Sequence, residues 1–201
     1  MSGARILGDI TQPNVVSRFQ NLTVAVAALI SVAVHLDGEK LLEGTLLAKI
    51  VADGKFRAYA EADVSVAFST GNADFTLEDQ ADGHLKMKHF RVGDVIEGTD
   101  GTALGTILTF NGVTGVGTLT ANSAANHSTP VRVDNADLKL SGGDGRILKA
   151  ETLMGINGVL DEPQAAYVEG FFTETRVIGA TVASKLALGS KSYVAGEMRL
   201  I

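Results

Sequence analysis

Leu41-Leu-Glu-Gly-Thr-Leu-Leu-Ala-Lys-Ile-Val-Ala-Asp-Gly-Lys-Phe-Arg-Ala-Tyr59 reads as two short strands folded back on each other. Leu46 to Val51 and Lys55 to Tyr59 flank Ala52-Asp53-Gly54, and an Asp-Gly step between two apolar runs marks a hairpin because glycine accepts positive φ. The same punctuation recurs at Asp37-Gly38, Asp82-Gly83, Asp100-Gly101, Asn111-Gly112, Asp144-Gly145 and Asn157-Gly158. It cuts the chain into strand-length pieces. The 201 residues include 23 Gly, 8 Phe, 3 Tyr and no Trp, with hardly any 3.6-residue apolar stripe. The expected fold is all-β with at most one or two short helices. One helix is expected from Thr181 to Leu188, ended by Gly189.

Working outward from the hairpin, four zones separate. Residues 1–22 are polar and irregular, contain Pro13, and read as an extended N-terminal arm. Residues 23–66 hold strand candidates Thr23 to Ala27, Leu29 to Leu36, Thr45 to Val51 and Phe56 to Ala60. Residues 67–146 contain Phe90 to Ile96, Gly105 to Phe110 and Gly115 to Thr120, successive short strands of a small inserted acidic β-barrel module. Residues 147–201 add strands at Ala165 to Phe172 and Tyr193 to Ile201. Zones 23–66 and 147–201 each look incomplete alone, so they are expected to pair into one discontinuous β domain.

The net charge of -6 and pI near 5.2 oppose a surface built to neutralise phosphates, so nucleic acid is not an expected partner. Between positions 61 and 100, Glu61, Asp63, Asp74, Glu78, Asp79, Asp82, Asp94, Glu97 and Asp100 outweigh Lys86, Lys88 and Arg91. This region reads as a solvated acidic surface. The absence of Cys removes thiol catalysis, thiolate zinc sites and disulfides. Leu22 to Leu36 is interrupted by Thr23, Ser31 and His35 and is shorter than the roughly 20 residues of a membrane span; no membrane partner and no secretory leader are expected.

Catalytic signatures are missing. No Ser sits in a Gly-x-Ser-x-Gly elbow. Gly112-Val-Thr-Gly115-Val-Gly117 lacks the Lys-Ser/Thr of a phosphate loop and reads as hairpin geometry. His35, His84, His89 and His127 form no metal-binding spacing. Asp74, Glu78, Asp79 and Asp82 lack the order of a calcium loop. The expectation is a non-enzymatic protein without cofactor or metal. Tyr59, Tyr167, Phe171 and Phe172 are candidates for an interface or for the core.

The stretch from Leu41 to Tyr59 resembles a phrase of lambda-type phage head-decoration proteins, in which a Gly-x-Leu-Leu-Ala strand leads through a short turn to a second strand carrying an aromatic. Gly155-Ile-Asn-Gly-Val-Leu-Asp-Glu-Pro-Gln-Ala-Ala-Tyr-Val-Glu-Gly-Phe-Phe172 is similar to a second phrase of that family. The inserted module is not part of the minimal family pattern, and residues continue beyond the expected C-terminal helix. The resemblance implies a β-barrel or β-tulip-like decoration domain. It further implies a homotrimer on the outer capsid surface of the virion, at threefold or quasi-threefold positions, with the arm adding a strand to the major capsid protein. Arg5, Ile6, Leu7, Ile10, Val15, Val16, Arg18 and Phe19 are then the capsid-contact candidates. Two other readings stand beside this one. Another phage structural subunit, such as a head fibre, tail tube or baseplate protein, shares the short-strand pattern. A carbohydrate-binding module would need exposed aromatics around Phe90 and Phe110.

Overall fold

A computed structural model describes residues 24–30, 40–79, 87–134, 136–140, 144–153, 162–172, 177–181, 184, 188 and 198–200. The protein is all-β. Strands run as β1 (Val24–Ile30), β2 (Lys40–Leu41), β3 (Leu46–Ile50), β4 (Phe56–Ala58), β5 (Glu61–Val66), β6 (Asp74–Glu78), β7 (Val95–Gly98) and β8 (Ala103–Phe110). They continue as β9 (Val116–Leu119), β10 (Val131–Val133), β11 (Leu138–Lys139), β12 (Arg146–Leu148), β13 (Thr152–Leu153), β14 (Glu162–Phe172) and β15 (Met198–Leu200). A 3-10 turn, Met87–His89, precedes β7.

The strands β5 to β10 close into a barrel in the order β10-β5-β6-β9-β8-β7, every pair antiparallel. Alternation decides what fills it. Phe75 and Leu77 of β6, Ile96 of β7, Leu104 and Ile107 of β8, Leu119 of β9 and Val131 and Val133 of β10 are all buried. Phe68 stacks on Phe75 at 4.9 Å, Phe75 on Phe110 at 6.1 Å, and Phe90 meets Phe110 edge-on at 6.1 Å. Register irregularities at Val64/Val66, Ile96/Glu97 and Ile107/Thr109 bend the strands enough to close a small barrel. Closure leaves none of its six strands as an edge. Between β8 and β9, Asn111 Oδ1 accepts the amides of Val113 and Thr114. The left-handed residue is Gly115 (φ 72), not Gly112, and a Cβ at Gly115 would lie 1.8 Å from the Leu77 carbonyl oxygen.

The remaining sheet is gathered from both sides of the barrel in sequence. The β3–β4 hairpin forms around Asp53-Gly54 as the dipeptide predicts, with Leu47 opposite Ala58 and Lys49 opposite Phe56. β3 pairs β12, β12 pairs β14, β14 pairs β1, and Ile30 of β1 meets Phe56 of β4. These contacts join β1, β4, β3, β12 and β14 into a ring. All five strands contribute to one cluster, Ala28, Leu47, Phe56, Ala58, Leu148 and Ala166, with Leu41 beside them. On the opposite face Leu46, Ala48, Ile147 and Tyr167 share a core with the barrel interior. At Leu46 to Ala48, at Ile147 and Leu148, and at Ala166 and Tyr167 the ring is therefore buried on both faces. Segment 177–181 lies along β3, where the Leu46 amide donates to the Ile178 carbonyl and the Ile178 amide to the Gly44 carbonyl.

Several expectations shift. The first apolar zone gives one strand, Val24–Ile30, where two were expected to break near Ala28; the rest of the second candidate falls at 31–36, outside the described residues. The barrel takes in β5 from Glu61, ahead of the expected boundary at 67. β11, expected in the insertion, instead pairs with β3. Only Tyr59 and Ala60 separate β4 from β5, so composition gives no signal where the chain passes from ring to barrel. Within the expected helix, Ser184 and Leu188 are helical and the other residues after Thr181 lie outside the described ones. The arm, 1–22, lies wholly outside them. Among the described residues no helix is long and apolar enough to cross a membrane.

Candidate functional site

Polar side chains concentrate in two places. The first is the seam between barrel and ring. Phe56 and Ala58 point into the ring, so alternation turns Arg57 outward to the barrel. Its guanidinium donates to Asp94 Oδ1 at 2.8 Å and Oδ2 at 2.7 Å, and to the His89 carbonyl at 3.3 Å. The two side chains are only 7% and 10% exposed. Asp94 Oδ2 also accepts the Arg91 amide at 2.8 Å, and His89 Nδ1 lies 3.2 Å from the Tyr59 carbonyl. The paired fork satisfies both ions where water is excluded.

Beside it stands a second group. Tyr59 donates its hydroxyl to Glu61 Oε2 at 2.8 Å, and Thr181 donates to the same oxygen at 2.7 Å. Thr181 Oγ1 also accepts the Ser184 amide while Ser184 Oγ accepts the Thr181 amide, a reciprocal pair of the kind that caps helices. On β10, the strand between β5 and β7, Arg132 stands opposite both Glu61 and Glu97, and its Nε donates to Glu97 at 2.8 Å. Burial pushes the Glu61 carboxyl above its ordinary value, against the opposing pull of the Thr181 and Tyr59 hydroxyls and of Arg132. Burial, then the charge of Glu61, raises the Tyr59 phenol well above its own.

The second place is a cleft of about 350 Å³ at the barrel mouth, lined by Ala67, Phe68, Asp100, Asn126, His127, Ser128 and Thr129. Phe68 and His127 exchange both backbone hydrogen bonds, at 2.9 and 3.1 Å. Gly98 makes room for the cleft wall: a Cβ there would lie 2.3 Å from His127 Cε1 and 2.5 Å from Asp100 Oδ1. Asp100 accepts the Thr102 amide at 2.9 Å, Asn126 the Thr70 amide at 3.0 Å, and His127 Nε2 meets Thr129 Oγ1 at 3.0 Å. The hydrogen bonds from Thr102 hold the Asp100 carboxyl below the usual carboxylate range, with a smaller contribution from His127. These groups stitch turns together, and among the described residues no three or more His, Asp or Glu converge as metal ligands.

The candidates read from sequence fall unevenly on this geometry. Arg5, Ile6, Leu7, Ile10, Val15, Val16, Arg18 and Phe19 lie outside the described residues. Tyr59 is 4% and Tyr167 5% exposed; both are packed inside a single chain. Phe171 and Phe172 pair through β14 with Arg199 and Leu200 of β15. The acidic stretch is not uniformly solvated as expected, because Glu61 and Asp94 are buried, each compensated by donors far away in sequence. Phe90 is buried and Phe110 packs against the core, so the exposed aromatic pair that a carbohydrate-binding module would need is not there. The seam residues Arg57, Asp94, Glu97, Arg132 and Thr181 carry one readable signal, an arginine placed between Phe56 and Ala58 in an otherwise apolar strand. Comparison with protein-family models, with curated proteins and with solved structures finds no match to this chain.

Proposed function

We propose that this chain is a structural virion protein that binds the outer surface of an expanded phage capsid as a trimer and stabilises the shell. The observation that carries this reading is the meeting of the two family-like phrases. Leu41, Leu47, Phe56 and Ala58 come from the first and Ala166 from the second, and all share one buried cluster. Two phrases remote in sequence thus build a single ring.

In this reading residues 1–22, which lead directly into ring strand β1, donate backbone hydrogen bonds to an exposed sheet edge of the major capsid protein. Binding only the assembled lattice stabilises it by RT ln(1 + [L]/Kd) per site, repeated over many sites. The test is solution mass together with cosedimentation on undecorated expanded capsids. A trimer that cosediments is expected, and deletion of residues 2–20 should leave a folded protein that no longer does. A monomer without capsid affinity would overturn the proposal.

A further inference from the structure

Among the described residues four asparagines, Asn72, Asn111, Asn122 and Asn126, each carry a side-chain amide next to the main-chain nitrogen of the following residue. Attack by that nitrogen on the side-chain carbonyl carbon closes a five-membered ring without any second molecule. The step needs an uncrowded, unspent nitrogen, an amide free to leave, and support for the charge that gathers on the side-chain oxygen. Ser123 and His127, which follow Asn122 and Asn126, already give their amides to the Asn72 and Phe68 carbonyls, at 3.0 and 3.1 Å. Ala73, which follows Asn72, sets a Cβ beside its nitrogen.

Asn111 meets all three conditions. Gly112 has no Cβ, and its amide has no hydrogen-bond acceptor among the described residues. The Asn111 side-chain nitrogen is likewise unengaged among them, whereas its Oδ1 accepts the Val113 amide at 2.9 Å and the Thr114 amide at 3.1 Å. Two main-chain donors on one carbonyl oxygen are the arrangement that steadies an oxyanion. The residue is exposed, so water reaches it.

We infer that Asn111 is a self-modifying site, converting to aspartate in the folded chain. The Gly112 nitrogen bonds to Cγ, the Cγ–Nδ2 bond breaks, and the Gly112 proton leaves with the amide as ammonia. Water then opens the ring. Cleavage of the new Cγ–N bond restores the main chain and leaves aspartate; cleavage of the old peptide C–N bond leaves a β-linked residue, with an extra carbon in the main chain.

The turn favours the first outcome. It is closed by the Asn111 amide on the Val116 carbonyl, at 2.9 Å, and by the Gly115 amide on the Asn111 carbonyl, at 2.8 Å. Gly115 is itself pressed against the Leu77 carbonyl. An extra main-chain carbon disturbs that closure, whereas aspartate offers the Val113 and Thr114 amides a charged acceptor in the same place. Each conversion adds a negative charge at the β8–β9 turn, beside Val113, which is 85% exposed.

The full chain, held at neutral pH both folded and unfolded in urea, tests this by peptide mass mapping over time. In the folded chain residue 111 should gain about one mass unit, as hydroxyl replaces amino, and do so about tenfold or more faster than residues 122 and 126. Isoaspartyl methyltransferase, applied to the digested peptides, reads the β-linked fraction, which should be smaller from the folded chain than from the unfolded one. Asn111→Asp, made directly, should keep the exchange protection of the Val113 and Thr114 amides. The site is refuted if Asn111 converts no faster than Asn122 or Asn126, if the β-linked fraction is the same folded and unfolded, or if Asn111→Asp loses that protection.

Discussion

Barrel and ring are both closed β structures, yet they are built in opposite ways. The barrel uses six strands consecutive in sequence and fills itself with stacked phenylalanines. The ring draws β1, β3 and β4 from one end of the chain and β12 and β14 from the other. It encloses three alanines, two leucines and one phenylalanine, and closes through one residue pair, Ile30 with Phe56. A barrel with a bulky interior holds its own shape. A ring with a thin interior depends on what covers its outer face, and here the barrel and segment 177–181 supply that cover. The lesson is that a locally encoded module can act as the template for a non-local one.

The comparison can be broken hardest at the seam. Arg57→Ala strands the Asp94 carboxylate in a buried site and should cost about 3–5 kcal/mol, measured by urea denaturation, with ring amides losing exchange protection before barrel amides. Simultaneous loss in both would show that the barrel does not hold its shape without the ring. Replacing both partners by apolar residues, Arg57→Met with Asp94→Leu, should recover much of that loss. Within the two interiors, Phe75→Ala should cost about 3–5 kcal/mol and Leu47→Ala about 2–5 kcal/mol. The sharper expectation is locational: Phe75→Ala destabilises barrel and ring together, whereas Leu47→Ala leaves barrel protection in place. The smallest effect belongs to the ion pair of Lys40 and Glu151, whose side chains are 55% and 50% exposed. Lys40→Ala should change stability by less than about 1 kcal/mol and serves as the surface reference.

How much of this was legible in the sequence depends on the range of the interactions. Asp53-Gly54 announced the β3–β4 hairpin because the turn and both strands lie within one short window. The inward alternation of Phe75 with Leu77, and of Leu104 with Ile107, is equally local except where a bulge shifts the register between Ile107 and Thr109. The seam was not legible. Arg57 finds Asp94, and Glu61 finds Thr181, only after the barrel has closed and docked, so each acid looked solvated when read in its own neighbourhood. The same blindness affects Gly115: Asn111-Gly112 marked the turn correctly, but the left-handed position is set by the approach of the loop to the Leu77 carbonyl, on a neighbouring strand.

The split origin of the ring also sets an order of events during synthesis. A ribosome releases β1, β3 and β4 before the barrel, and β12 and β14 only after it, while domains fold as they emerge. Until they emerge, the apolar sides of Leu47, Phe56 and Ala58 have no β12 or β14 to close over them. The barrel is complete by Val133 and can take hold of β4 through Arg57 and Asp94 before β14 has left the exit tunnel. The nascent chain therefore carries its own holdase, positioned on the last of the three ring strands made before the barrel.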